Sequence, residues 1–176
     1  MYKHLVLTLS GHDRIGMVEK ITNLVLRHKG NVGESRMARL GGEFAMLMLI
    51  SVDKESYDEL EKSIISLQND GFKVTLDYTD TPAAEKYSGW MPYKIIVNGA
   101  DHEGIVHKIA HHLADKNINI ESMDTHIRQA PMSGAPLFIM EGIVLVPPEQ
   151  KSVWKEELNT AADELNVDIE ISTYTG

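Results

Sequence analysis

An alternation of apolar and polar positions near the start of the chain predicts a strand over residues 3–9. Its apolar members are Leu5, Leu7 and Leu9, which an extended backbone places on one face. Between residues 17 and 28, apolar positions recur instead with the period of a helix. The inward residues predicted for this helix are Val18, Ile21 and Val25, with Leu24 beside them, and Gly30 is predicted to end it.

The next segments complete one structural unit. Residues 32–40 and 43–52 read as two strands of a hairpin around Gly41-Gly42. Ser56 followed by Glu59 is a capping-box pattern, which predicts a second helix that stops at Gly71, before a last strand over residues 72–78. The order β-α-β-β-α-β is that of a split βαβ arrangement.

This pattern then recurs later in the chain. The two copies align at an offset of 88 positions, as in Asp13 and Asp101, Gly16 and Gly104, Val18 and Val106, and Asn31 and Asn119. Repetition at a fixed offset indicates two similar domains, each with the same glycine-marked turn. We therefore predict a first domain over residues 1–80, a linker over residues 81–91 and a second domain over residues 92–176.

The second copy has its own predicted elements. Strands are expected over residues 93–98, 118–127, 137–146 and 167–174, and a helix over residues 104–116. A further helix is expected directly after Pro147-Pro148. The inward positions predicted for these two helices are Val106, Ile109, Ala110 and Leu113, and then Trp154, Leu158, Ala161 and Leu165. A longer loop, residues 128–136, replaces the Gly41-Gly42 turn, and such loops lie at the surface, where they either carry function or are plain excursions.

Charge and composition exclude several functions. Residues 1–81 hold 10 Lys and Arg against 12 Asp and Glu, and residues 82–176 hold 7 against 14, so the net charges are −2 and −7. An acidic chain without a basic cluster is a poor binder of phosphate backbones, so we expect no direct contact with nucleic acid. No apolar run is long enough for a membrane helix, and cysteine is absent. Because the strand-like alternation begins at residue 3, we expect no signal peptide. We expect a cytoplasmic protein without membrane contact.

The two glycine-marked turns hold the candidate chemistry. Gly16 and Gly104 each stand where a strand leads into a helix, and a helix start offers unpaired N–H groups to an anion. Asp13 and Asp101 precede the turns and are able either to cap the helix or to bind an ammonium group. A turn that offers amides to a carboxylate and an acidic side chain to an ammonium group suits a free amino acid. The alternative is that Asp and Gly only cap and pack the helices.

The sequence resembles a known family at this motif. Asp-Arg-Ile-Gly-Met-Val, a helix and Gly-Asn-Val are similar to an ACT domain, and Asp-His-Glu-Gly-Ile-Val with Asn-Ile-Asn-Ile-Glu-Ser is similar to a second one. Residues 119–122 and 130–138 further resemble the glycine cleavage system transcriptional repressor family. The resemblance implies an α+β fold of two ferredoxin-like ACT domains in tandem, with antiparallel sheets and helices on one face. It also implies a non-catalytic regulator that binds a small amino acid, glycine being one candidate.

The resemblance also implies which residues contact the ligand. They are His12, Asp13, Arg14, Ile15, Gly16 and Met17 in the first turn, Asp101, His102, Glu103, Gly104 and Ile105 in the second, and Asn31 and Asn119 at the start of the following strands. Glu103 departs from the pattern, because its charge would repel a carboxylate unless it points away. We expect no cofactor beyond the amino-acid effector. Expected partners are a DNA-binding transcriptional activator and further copies of the chain, as a homodimer or higher homo-oligomer.

Other readings remain open. The chain is alternatively a ligand-free adaptor with vestigial turns, or the detached regulatory part of an amino-acid or one-carbon enzyme, since the first copy also resembles the amino-terminal domain of formyltetrahydrofolate deformylases. No nucleophile–base pair and no Gly-x-Ser-x-Gly motif stands out, so we expect no enzyme. His107 and His111 have a spacing that suits zinc, but the inward residues of their helix leave both on its polar face. We therefore expect exposed histidines and no metal site.

Overall fold

The computed structural model describes residues 2–79, 86–131, 133–150 and 152–175. The chain divides into two compact units, Met1–Pro82 and Ala83–Gly176. Each unit has the element order β-α-β-β-α-β and one four-stranded antiparallel sheet. The predicted fold class, two ferredoxin-like units in tandem, is confirmed.

Unit 1 builds its sheet around its first strand. Its elements are β1 (Tyr2–His12), α1 (Met17–Arg27), β2 (Asn31–Leu40), β3 (Glu43–Asp53), α2 (Tyr57–Ile65) and β4 (Lys73–Tyr78), with a 3₁₀ turn at Ser66–Asp70. The strand order is β2-β3-β1-β4. Leu5, Leu7 and Leu9 are fully buried on one face of β1, as the alternation predicts.

Unit 2 repeats this topology. Its elements are β5 (Met91–Ala100), α3 (Ile105–Asp115), β6 (Asn119–Gln129), β7 (Pro136–Val146), α4 (Val153–Glu164) and β8 (Val167–Thr173), in the sheet order β6-β7-β5-β8. Of the predicted linker, residues 81–85 lie outside the described residues, and Met91 already belongs to β5. The predicted loop is shorter than expected, because β6 runs to Gln129 and β7 begins at Pro136.

The inward faces of α1 and α3 differ from the prediction by one residue. Met17 and Ile105 are buried, and so are the apolar residues that follow each of them by four and by eight positions. Val18 and Val106, in contrast, are each 40% exposed. Both helices carry adjacent apolar residues at their start, so the period alone does not decide between two faces 100° apart. Ala110 is only half-buried for the same reason.

The predicted end of α1 is also corrected. The left-handed residue after α1 is Lys29, at φ 57°, and its equivalent in unit 2 is Asn117, at φ 55°. Gly30 is required instead by space, because a Cβ there would lie 2.8 Å from Cγ1 of Val25. Close packing of the chain after the helix, and not a left-handed cap, explains this glycine.

Two helix starts differ from the prediction. Ser56 does precede α2, but it makes no side-chain cap hydrogen bond. Helix α4 begins at Val153 and not directly after Pro147-Pro148, and Ala162 takes the buried position predicted for Ala161. No described helix is long and apolar enough to cross a membrane.

Candidate functional site

The turn between β1 and α1 ends in a left-handed glycine. Gly16 precedes the helix at φ 88°, and no described side chain caps the helix start. A Cβ placed on Gly16 would meet nothing within 4 Å, so the backbone conformation, and not close packing, requires glycine. The N–H groups of the first helical turn are therefore free of a side-chain cap and stand at the positive end of the helix dipole.

The turn between β5 and α3 has the same geometry. Gly104 lies at φ 92° with open space around its Cα, and α3 too starts without a side-chain cap among the described residues. The first helical bonds also match, since the amides of Lys20 and Lys108 each donate to the glycine carbonyl over 2.9 Å. The two units therefore share a helix start that follows a left-handed glycine and lacks a side-chain cap.

Two of the predicted contact residues belong to the hydrophobic core. The side chains of Met17 and Ile105 are buried in the cores of units 1 and 2. They are therefore positioned to pack the helix and not to contact a surface ligand. Only their backbone amides are available for binding at the turn.

Arg14 and His102 each join the turn to the end of the second helical segment. Nη2 of Arg14 donates to the carbonyl of Asp70 over 2.7 Å, and its guanidinium lies 4.7 Å from the centre of the Phe72 ring. Nε2 of His102 lies 2.7 Å from the carbonyl oxygen of Leu165. Although the two motifs have different residues at this position, both side chains contact a backbone carbonyl at the same place in their units. Each side chain therefore has a structural role that the sequence does not reveal.

A lysine reinforces this connection in each unit. Nζ of Lys20 lies 2.7 Å from a carboxylate oxygen of Asp70, and Nζ of Lys108 lies 2.8 Å from one of Glu164. These lysines hold the pKa of each carboxyl below its ordinary value, chiefly through the hydrogen bond. The two contacts together define a tether in each unit, Arg14 and Lys20 in the first and His102 and Lys108 in the second.

His102 is surrounded by hydrogen-bond acceptors. Its Nδ1 lies 3.0 Å from the carbonyl oxygen of Glu103, while Nε2 faces that of Leu165. Carbonyl oxygens only accept, so both bonds form together only when both ring nitrogens carry hydrogen. These two carbonyls, with a smaller contribution from the Asp101 carboxylate, raise the pKa of His102 above its ordinary value.

Neither predicted aspartate caps its helix. The amide of Asp13 donates to the carbonyl of Gly42 over 3.0 Å, and its carboxylate lies 3.6 Å from Nε of Arg39. The amide of Asp101 donates to the carbonyl of Pro136, and its side chain is exposed. The capping alternative is therefore wrong for these side chains, and the amides fasten each turn to the neighbouring hairpin.

The other turn residues point to solvent or to the hairpin. Ile15 is 108% exposed and Glu103, at the equivalent position, is exposed too. Nδ1 of His12 lies 2.6 Å from a carboxylate oxygen of Glu43. The sequence reasoning missed Glu43 and Arg39, although their place beside the Gly41-Gly42 turn puts them level with the end of β1.

Asn31 and Asn119 lie far from the turns of their own units. Asn31 pairs with Ser51, which pairs with His4, whereas the turn follows His12 at the other end of β1. Eight residues of strand span about 26 Å at roughly 3.3 Å per residue. Asn119 likewise lies level with the start of β5. Within one unit, therefore, these asparagines and the turn do not contact the same small molecule.

The histidines of α3 lie on its surface. His107 and His111 are exposed, as predicted, and their rings stack with centres 6.0 Å apart. Nε2 of His111 lies 3.4 Å from the Asp115 carboxylate. Among the described residues, no group of three or more His, Asp or Glu side chains is placed to hold a metal ion.

Comparison with known proteins finds a family similarity in the first unit. The family model described as ACT domain matches residues 3–76. The predicted resemblance of the first copy to an ACT domain is thus confirmed. The match covers almost all of unit 1, with the Gly16 turn inside it.

Solved structures resemble this chain over its whole length. A protein of unknown function from Galdieria sulphuraria is 29% identical, with 99% of this chain and 100% of that chain covered and a TM-score of 0.83. A candidate glycine cleavage system transcriptional repressor is 22% identical, with 100% and 99% covered and a TM-score of 0.71. At that identity, the second likeness shows the fold, namely two ferredoxin-like units in tandem.

Curated relatives match a shorter segment. UPF0237 proteins of Methanosarcina mazei and Methanosarcina acetivorans are each 32% identical over 53 residues, which is 30% of this chain. The chain spans 58% of the length of these relatives.

Proposed function

We propose that this protein is a non-catalytic regulator that binds a small amino acid at its glycine turns and passes that state to a protein partner. The observation that carries the proposal is the pair of turns in which a left-handed glycine, Gly16 or Gly104, precedes a helix start without a side-chain cap. The first turn lies inside the segment that matches the ACT domain family. The fold likeness to a candidate glycine cleavage system transcriptional repressor supports a DNA-binding transcription factor as the partner and glycine as the first ligand to test.

The turns offer complementary charge to a zwitterion. A ligand carboxylate would accept hydrogen bonds from the free N–H groups at the start of α1 or α3. The ligand's ammonium group would bind the exposed carboxylate of Asp13 or Asp101. At the first turn it would have to displace Arg39, which lies 3.6 Å from Asp13, so we expect the two turns to differ in affinity.

The tethers offer a route from ligand to partner. Arg14 and Lys20 fix the first turn to the end of the second helical segment, and His102 and Lys108 do the same in unit 2. A ligand regulates only if it binds one conformation more tightly than another. A coupling of about 1–3 kcal/mol would suffice for a 5- to 150-fold change in partner affinity.

Calorimetric titration of the whole chain with each common amino acid tests the ligand proposal. We expect saturable binding of at least one small amino acid in the millimolar range or tighter. Gly16→Ala and Gly104→Ala strain the two turns and should each weaken one class of sites. Gly89→Ala is the matched control, because Gly89 also has a left-handed backbone, at φ 80°, and open space, but lies outside both turns. Absence of saturable binding to every amino acid would refute the proposal.

A ligand-free adaptor is the second candidate function. The tethers favour it, because they give Arg14 and His102 structural tasks that need no ligand. The adaptor would bind its partner equally well with and without amino acids, and would tolerate both glycine substitutions. Our proposal retains the expected cytoplasmic location and homo-oligomeric state, the latter testable by sedimentation of the purified chain.

A further inference from the structure

The outer face of the first sheet, opposite the helices, carries a concavity of about 670 Å³. It lies at the hairpin end of the sheet and shares only His12 with the predicted turn residues. Its size falls within the range of small-molecule sites. The helix start after Gly16 lies on the other side of the sheet, where Met17 is buried in the core.

Strand register explains the concavity. One row crosses all four strands of unit 1 and consists of Ala38, Ala45, Ser10 and Lys73, in that order. Three neighbouring strands thus contribute only small side chains, which leave a low floor about 10 Å wide at roughly 4.8 Å per strand. Leu40, which is 84% exposed, belongs to the next row and forms an apolar wall.

The charges around this floor favour an anion. His12 and Glu43 line one side and are paired with each other over 2.6 Å. Lys73 is exposed and makes no ion pair with any described residue. It lines both this concavity and a smaller hollow of about 370 Å³ beside Thr8 and Thr75. The cation at the end of the row is therefore available to a ligand.

Unit 2 has no equivalent of this arrangement. The corresponding row in its sheet consists of His126, Ile139, Asn98 and Asp168. Bulky side chains replace the two alanines, and a carboxylate replaces the lysine. Unit 2 therefore serves as an internal comparison. Larger side chains occupy the floor there, and the charge at the end of the row is negative where that of unit 1 is positive.

We propose that the outer face of the first sheet is a second binding site, separate from the glycine turns, for a small organic anion with a flat apolar body. The apolar body lies on Ala38 and Ala45 against Leu40, and the anionic group pairs with Lys73. Ser10 lies between them and offers its hydroxyl to a polar substituent. The site is specific to unit 1.

Binding of 8-anilinonaphthalene-1-sulfonate, a flat apolar anion whose fluorescence rises in apolar surroundings, tests this site on the whole chain. We expect saturable binding by the wild type. Ala45→Ile and Lys73→Asp, which introduce the residues of unit 2, should each weaken it at least about tenfold, or roughly 1.4 kcal/mol. Lys62→Asp is the control, because it makes the same charge change on α2, in the helical layer.

Further measurements show whether a loss of probe affinity comes from the proposed site and not from unfolding. Circular dichroism must show that each variant folds, which is expected because Ala45 and Lys73 are exposed strand positions and isoleucine favours strands. Benzoate should displace the probe, whereas Gly89→Ala should leave its affinity unchanged. No saturable binding by the wild type, or unchanged affinity in either Ala45→Ile or Lys73→Asp, would overturn the proposal. Neither result depends on whether the turns bind amino acids.

Discussion

At the residue scale, two different physical causes explain why glycine is required at the positions that mark the repeat. Gly16 and Gly104 have left-handed backbones with open space around them. Gly11 and Gly99, which precede them on the central strands, are required by contact, since a Cβ would lie 2.7 Å from Phe72 and 2.5 Å from Val167. The first pair shapes the turns, and the second lets Phe72, just before β4, and Val167, at the start of β8, pack closely against the central strands. Sequence spacing shows that these glycines recur, but only backbone angles and distances separate the two causes.

The tether in unit 2 should depend on pH, whereas that in unit 1 should not. The folded state raises the pKa of His102 above 6.5, so the stability that its two hydrogen bonds contribute is fully present below pH 6.5. It is lost as the pH rises through the folded pKa of His102. Arg14 makes the equivalent contact with a guanidinium that stays charged throughout this range.

Urea unfolding at pH 6 and at pH 9 measures this difference. We expect the wild type to lose more stability between the two pH values than His102→Arg, which introduces the permanently charged side chain found in unit 1. Asp70, Glu141 and Glu164 have lowered pKa values and stay ionised across this window, so they do not contribute to the change. An equal loss in wild type and variant would contradict the role assigned to His102.

At the element scale, the local patterns predict the elements well and their faces less well. The Leu5–Leu9 alternation and the helical periods are short-range signals, so strands and helices fall where the sequence predicts them, apart from the later start of α4. Where two apolar residues stand side by side, as at Ile105 and Val106, packing decides which one faces inward. The cap predicted at Ser56 fails because the pattern shows that a bond is possible and not that it forms.

Paired alanine substitutions at the start of α3 test the corrected face. Ile105→Ala removes a buried side chain and should lower the free energy of unfolding by about 2–5 kcal/mol. Val106→Ala truncates a side chain that is 40% exposed and should cost less than about 1 kcal/mol. Chemical denaturation measures both. A larger loss for Val106→Ala would show that the face predicted from the sequence was right after all.

At the scale of the whole molecule, the repeat predicts two units of one topology, but not how the two have diverged. The contact from Arg14 to Asp70 joins residues 56 positions apart and exists only after folding. Strand direction likewise separates Asn31 from the turn that the family resemblance groups it with. The row from Ala38 to Lys73 appears only when four strands are placed in register. The sequence patterns therefore do not predict properties that depend on tertiary contacts.

The central claim is that the free amides after Gly16 and Gly104 bind an amino acid, and amide NMR during a glycine titration tests it most directly. We predict that the largest saturable shifts occur at residues 16–19 and 104–107, with the row from Ala38 to Lys73 unaffected. If millimolar glycine, and then each other small amino acid, leaves both groups of amides unshifted, the account of the turns as an amino-acid sensor is wrong.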